Sequence, residues 1–314
     1  VMLAAAERAA RGAIAARLAR FERSDDAAFT LNPAGGIDWE GATLARLARG
    51  ADFLRPGIEV EASELLVAPQ RERIRRRLAE FLDRLLRRRL QPLFVLVEAS
   101  LSGAARGIAY QLAQSGGLIA RAEAAAQLAA LRGSDRSALA RYGVRLNGPI
   151  IYLPALLKPA ATELRLALWA ASRNLRLPAG IPDGRRICVQ AELAPEFYAI
   201  AGYQLAGGLA VRVDMLDRLR HALRQLRPLP AALPSALCGV LGIGMGELVA
   251  IAEAQGFRTA SENGATRLIA LPDDELRRPR VQPGRGGARR RAGRAEADSP
   301  FAALGRLRLK GPSG

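Results

Sequence analysis

Two prolines, Pro69 and Pro92, bracket a run in which Ile74, Leu78, Phe81, Leu82 and Leu85 recur at intervals of three and four. Only a helix brings residues at that spacing onto one face, so the run predicts an amphipathic helix that must bury a stripe against a core, opened by Pro69 and stopped by Pro92. Its other positions include Arg71, Arg73, Arg75, Arg76, Arg77, Arg84, Arg87, Arg88 and Arg89 against only Glu72, Glu80 and Asp83. A planar guanidinium donates two parallel hydrogen bonds to a phosphate, so Arg71, Arg75, Arg76, Arg87 and Arg88 are candidate nucleic-acid contacts. The competing expectation is a solvated polar face in a chain whose arginine use reflects composition.

Around this helix the sequence is cut into short segments. Residues 1–24 predict an N-terminal helix or linker. Residues 25–60 predict a small hairpin-containing segment, with apolar runs at 29–31 and 37–39 separated by Asn32-Pro33-Ala34-Gly35-Gly36, followed by a helical stretch at 42–48. Residues 61–180 predict a helical domain whose further helices fall at 101–114, 121–131, 135–142 and 162–174, punctuated by Gly116-Gly117, Gly133 and Gly143. At Pro182-Asp183-Gly184 the texture changes, and residues 181–276 predict a small α/β module. It has strands at 186–190 and 209–213, a short helix from Pro195, helices at 214–226 and 247–255, and a closing hairpin around Asn263-Gly264. Helix, helix, hairpin is the order of a winged module. The expected fold class is mainly α with a small α/β part: a helical array, then a winged-like α/β module, then a disordered basic tail.

That tail, residues 277–314, has eleven basic residues and two acidic ones, and it is rich in glycine and arginine. Such a composition buries too little apolar surface to fold by itself, and flexible arginine–glycine arms contact polyanions through charge. Arg285, Arg289, Arg290 and Arg291 are its candidate nucleic-acid contacts. The whole chain has 47 Lys+Arg against 30 Asp+Glu, a net charge of +17 in 314 residues, which makes a nucleic acid the expected partner. Few aromatics are interleaved with the arginines of the 69–92 helix or the tail, so binding is expected to be independent of base sequence and steeply salt-dependent.

Catalytic chemistry is expected to be absent. No G-x-x-x-x-G-K-[ST] sequence occurs, so no phosphate-cradling loop is expected. Gly242-Ile243-Gly244-Met245-Gly246 lacks dinucleotide-binding spacing and reads as a turn before a helix. His221, the single histidine, has no nucleophile paired with it and reads as an exposed helix residue. Asp273-Asp274-Glu275 reads as solvated surface rather than a cation site. Cys188 and Cys238 stand alone, which argues against a disulfide framework or zinc site and for a reducing cytoplasm, with both thiols expected to be buried. No membrane span is expected, since the apolar stretch at 231–243 is short and contains Pro234. A first residue of valine gives the expectation of a piece of a longer open reading frame.

Several short motifs occur in order: Gly36-Ile37-Asp38-Trp39 with Ala45-Arg46-Leu47, Gly103-Ala104-Ala105-Arg106-Gly107-Ile108-Ala109, Asp135-Arg136-Ser137-Ala138-Leu139 and Tyr142-Gly143-Val144-Arg145. They continue with Ile151-Tyr152-Leu153-Pro154-Ala155-Leu156-Leu157-Lys158-Pro159, Leu168-Trp169, Ala201-Gly202-Tyr203, Arg212-Val213-Asp214-Met215-Leu216 and Asp298-Ser299-Pro300-Phe301. Residues 28–310 thus resemble the C-terminal region of the alphaproteobacterial helicase-related proteins, superfamily-2 relatives of the mitochondrial degradosome RNA helicase. The resemblance implies two upstream RecA-like domains that bind ATP and magnesium and separate strands, with the C-terminal region packing on them and holding the strand. No cofactor is implied for this chain. The likeness also implies a function: a nucleic-acid-binding accessory region of an ATP-dependent helicase whose motor is absent here. The alternative is a protein-interaction scaffold packing on the helicase core or another subunit. Lys158 lies inside a matching segment and reads as a turn residue before Pro159.

Overall fold

The computed structural model describes residues 2–61, 66–178, 184–189, 192–262 and 265–272. The chain divides into two units, one of residues 1–182 with 199–202 and one of residues 183–198 with 203–314. Helices and small antiparallel sheets alternate in both.

The first unit opens with α1 (Met2–Arg23) and a four-stranded meander, β1 (Phe29–Leu31), β2 (Gly36–Trp39), β3 (Ala42–Asp52) and β4 (Arg55–Val60), in that order across the sheet. The expected hairpin is β1–β2, pairing Phe29 with Trp39 and Leu31 with Ile37. Its turn is held by Asn32, whose side-chain oxygen accepts from the Gly36 N–H at 2.8 Å while its amide reaches the Asp38 carboxylate. The helix expected at 42–48 is instead part of β3. Ala45 and Leu47 are buried and Arg46 between them is exposed, which is strand alternation. Pairing with β2 and β4, and packing of β3 against a later helix, override the helix preference of alanine, leucine and arginine. The helical array expected for this half is therefore a helix-and-sheet layer.

The proline-bracketed run forms α2 (Ala68–Arg89), and Ile74, Leu78, Phe81, Leu82 and Leu85 are all buried. Pro92 does not end a helix; it sits in the first turn of α3 (Gln91–Glu98), which begins after a break at Leu90. Proline lacks an N–H that the first turn would leave unpaired, so it opens a helix without cost. Then come α4 (Gly103–Gln114), β5 (Leu118–Ala120), α5 (Ala125–Ala130), α6 (Gly133–Arg141), β6 (Ile150–Tyr152) and α7 (Pro159–Arg173). The helix expected at 121–131 begins only at Ala125, because the preceding residues leave β5, which pairs with β6. One core joins Leu18 and Phe21 of α1, Phe29, Trp39 and Leu47 of the sheet, and the inner faces of α2, α3, α4 and α7. Phe21 packs edge-on to Phe29 and to Trp39, with ring centroids 5.3 Å apart in each pair. The sheet lies against α2 through β4 and against α7 through β3.

The second unit contains β7 (Arg186–Cys188), the start of α8 (Pro195–Ala201), β8 (Tyr203–Ala206), β9 (Leu209–Arg212), α9 (Val213–Gln225), β10 (Ala231–Ala232), α10 (Ala236–Leu241), α11 (Met245–Ala254), β11 (Arg258–Glu262) and β12 (Ala265–Ala270). Its sheets are antiparallel, in the orders β7-β9-β8 and β10-β12-β11. A core of Leu216, Leu219, Leu223, Leu237, Leu248, Ile251, Phe257 and Leu268 lies among α9, α10, α11 and the second sheet. The glycine-rich stretch serves as two helix ends: Gly242, at φ 66°, closes α10 in the left-handed region, and Gly244 caps α11. Arg186 donates to the Gly242 carbonyl at 2.7 Å, and Arg185 donates to the Val240 carbonyl at 2.6 Å, so two cations serve the carbonyl end of α10. Cys238 is half-buried, but Cys188, expected to be buried, is exposed at the end of the three-residue strand β7.

Candidate nucleic-acid interface

The arginines of α2 divide by partner. Three of them tie the helix to the segment before β1. Arg73 grips Glu22 with two hydrogen bonds at 2.6 and 2.5 Å, Arg77 donates to the Ser24 carbonyl at 2.7 Å and to Asp26 at 2.9 Å, and Arg84 forks onto Asp26 at 2.6 and 2.9 Å. The Arg84 hydrogen bond, reinforced by Arg77, holds the Asp26 carboxyl at about 2, well below its ordinary range. Arg73 likewise lowers Glu22. Arg77 also lies over the Phe29 ring, its guanidinium carbon 4.7 Å from the centroid. These are cross-element fastenings, not open cations.

Of the five sequence candidates on this helix, Arg75 pairs with Glu72, and Arg87 bridges Asp83 at 3.1 Å and Glu98 at 3.2 Å. Arg71 is half-buried near the helix start. Arg76 and Arg88 are exposed and make no ion pair among the described residues. The outward surface of α2 thus combines ion-paired arginines with the open Arg76 and Arg88. Glu22, Asp26, Glu98 and Glu163, all outside α2, add to the helix's own Glu72 and Asp83 as ion-pair partners. Arg285, Arg289, Arg290 and Arg291 lie outside the described residues, as do Asn263-Gly264 and Asp273-Asp274-Glu275.

Lys158 is exposed at the cap of α7, where its carbonyl accepts from the N–H groups of Ala161 and Thr162 at 3.0 and 2.9 Å. Its main chain starts a helix. His221 is exposed on α9. Among the described residues no group of three His, Cys, Asp or Glu is placed to hold a metal ion, and no helix is long and apolar enough to cross a membrane.

The structure also brings forward arginines absent from the sequence candidates. Arg132, Arg136, Arg141 and Arg145 are all exposed around α6, and among the described residues none of them makes an ion pair. Among the described residues the Arg136 side chain donates only to the Leu128 carbonyl, at 2.9 Å. The acid of this helix, Asp135, is engaged at the opposite end, where it accepts from the Ser102 hydroxyl at 2.6 Å and the Arg132 N–H at 2.9 Å. The signal in the sequence was a gap: no acid occurs between Asp135 and Glu163.

In comparisons with known proteins, no family model, curated protein or solved structure matches this chain.

Proposed function

We propose that this chain is a nucleic-acid-binding accessory region of an ATP-dependent helicase. It holds single-stranded RNA or DNA by its phosphates, while ATP and magnesium are bound by RecA-like domains that are not part of it. The observation that carries the binding half is the net charge of +17, of which exposed arginines such as Arg76, Arg88, Arg141 and Arg145 remain outside ion pairs among the described residues. The helicase half rests on the ordered motifs quoted above. The order α9, β10, α10, α11, β11, β12, with β12 between β10 and β11, supports reading residues 213–270 as a winged module. Its second turn-linked helix, α11, contains Glu247 and Glu253 and no basic residue, so that helix is unsuited to the phosphate-lined groove of a duplex. Single strands held elsewhere fit better.

A second reading, a protein-interaction scaffold, is favoured by the way α2 spends Arg73, Arg77 and Arg84 on internal fastening. Titrating a fluorescent single-stranded oligonucleotide with the full chain at increasing salt separates the two. Phosphate contact predicts that log affinity falls linearly with log salt, by about 0.7 for each phosphate neutralised on a single strand. Absence of binding at low salt would leave only the scaffold.

A further inference from the structure

Arg141 and Arg145, at the end of α6 and just beyond it, differ from most arginines of α2 in making no ion pair among the described residues, and the one acid of α6, Asp135, lies at its start. From Arg136 to Lys158 the chain has four basic residues, Arg136, Arg141, Arg145 and Lys158, and no acidic one. The end of α6 turns two of them outward on a rigid mount. Gly143, at φ 84°, reverses the chain after Arg141, so that the Gly143 N–H returns to the Ala140 carbonyl at 2.9 Å and the Val144 N–H to the Leu139 carbonyl at 3.1 Å. Val144 and Leu146 enter the core, which leaves Arg145, between them, on the outside. Its backbone is pinned to Tyr152 in both directions, at 2.8 and 3.2 Å, and Tyr152 is itself paired with Leu118. Exposed Arg141 and Arg145 therefore flank a fixed turn.

Between them stands Tyr142, 36% exposed; with Tyr110 it is one of two aromatic side chains among the exposed large apolar residues described. Two exposed arginines and a part-exposed ring within five residues of one turn offer phosphate forks and a stacking face. We infer that the turn from Arg141 to Arg145 is a contact site for single-stranded nucleic acid, with Arg141 and Arg145 on phosphates and the Tyr142 ring stacked on a base. This inference rests on the nucleic-acid reading above and gives it a location. An acidic protein surface would satisfy the arginines but would offer no base for the ring.

The test uses the full chain, fluorescein-labelled oligo-uridine and oligo-thymidine, and anisotropy titrations at several salt concentrations. Melting curves confirm that each variant folds. R141Q/R145Q is expected to weaken binding of both probes at least about tenfold and to lower the salt slope by about 1.4, two single-strand phosphates. Tyr142→Ala is expected to weaken binding about tenfold with the slope unchanged, and Tyr142→Phe to bind like the unaltered chain, because stacking is an uncharged contact. R76Q/R88Q on α2 is expected to lose less than R141Q/R145Q. If the unaltered chain binds but R141Q/R145Q and Tyr142→Ala stay within twofold of it, this site is wrong while nucleic-acid binding stands. If the unaltered chain binds neither probe at low salt, both fail. If poly-glutamate competes as strongly as oligo-uridine and Tyr142→Ala alters neither, the turn serves an acidic partner and the inference is overturned.

Discussion

Asp26 holds two arginines of α2, and its protonation should loosen the first unit. Its carboxyl titrates near 2 when folded against an ordinary 3.8, so its contribution is fully present above about pH 4 and is lost as pH falls towards 2. Asp26→Asn should therefore lower stability at neutral pH by about 1 kcal/mol, a value reduced for solvent screening of a part-exposed group. The difference between variant and unaltered chain should vanish below pH 2, as checked by urea unfolding across pH. Arg165 presents the opposite case, a fully buried cation on α7 that donates to the Leu156 carbonyl at 2.7 Å and to the Ile200 carbonyl, with no carboxylate partner among the described residues. Burial pushes its guanidinium down to about 9. Because two carbonyls offset only part of the desolvation, Arg165→Met, which keeps the volume and removes the charge, should leave the unfolding midpoint unchanged or raised. Arg165→Ala, which leaves a cavity, should cost about 3 kcal/mol.

At the scale of elements, α2 is legible in its buried stripe and less so in its outer surface. Its buried stripe was legible because helical periodicity is a local property of spacing. Its outer surface was only partly so: Glu72 and Asp83 pair within the helix, but Glu22, Asp26, Glu98 and Glu163 come from outside it and meet it only on folding. R76Q/R88Q should change the melting temperature by less than about 1 °C, as expected for surface positions with no ion pair among the described residues. R77Q/R84Q should lower it by several degrees, since Arg77 is nearly buried, at 12% side-chain exposure, and both lose their shared carboxylate. Strand β3 was misread for a related reason: alanine, leucine and arginine favour helix locally, and only the neighbouring strands make an extended conformation better paired. Arg141 and Arg145 are not among the sequence candidates because their signal is a stretch without acids, between Asp135 and Glu163, rather than a density of arginines.

For the molecule as a whole, charge is the property with the longest reach. Residues 277–314 contribute eleven basic and two acidic residues, so the remainder holds +8 of the +17. Deleting that segment should slow association with oligo-uridine at low salt and reduce the salt slope, while leaving R141Q/R145Q still detrimental in the shortened chain; stopped-flow anisotropy reads both. Composition, net charge, the α2 core stripe and the β1–β2 turn were determined by the sequence alone, because each depends on residue identity or on spacing within a few positions. Which arginines remain open, the strand identity of residues 42–52, the burial of Arg165 and the exposure of Tyr142 were decided only by tertiary structure. Those depend on partners far away in the chain, and a cation's availability is set by the carboxylates that folding brings to it.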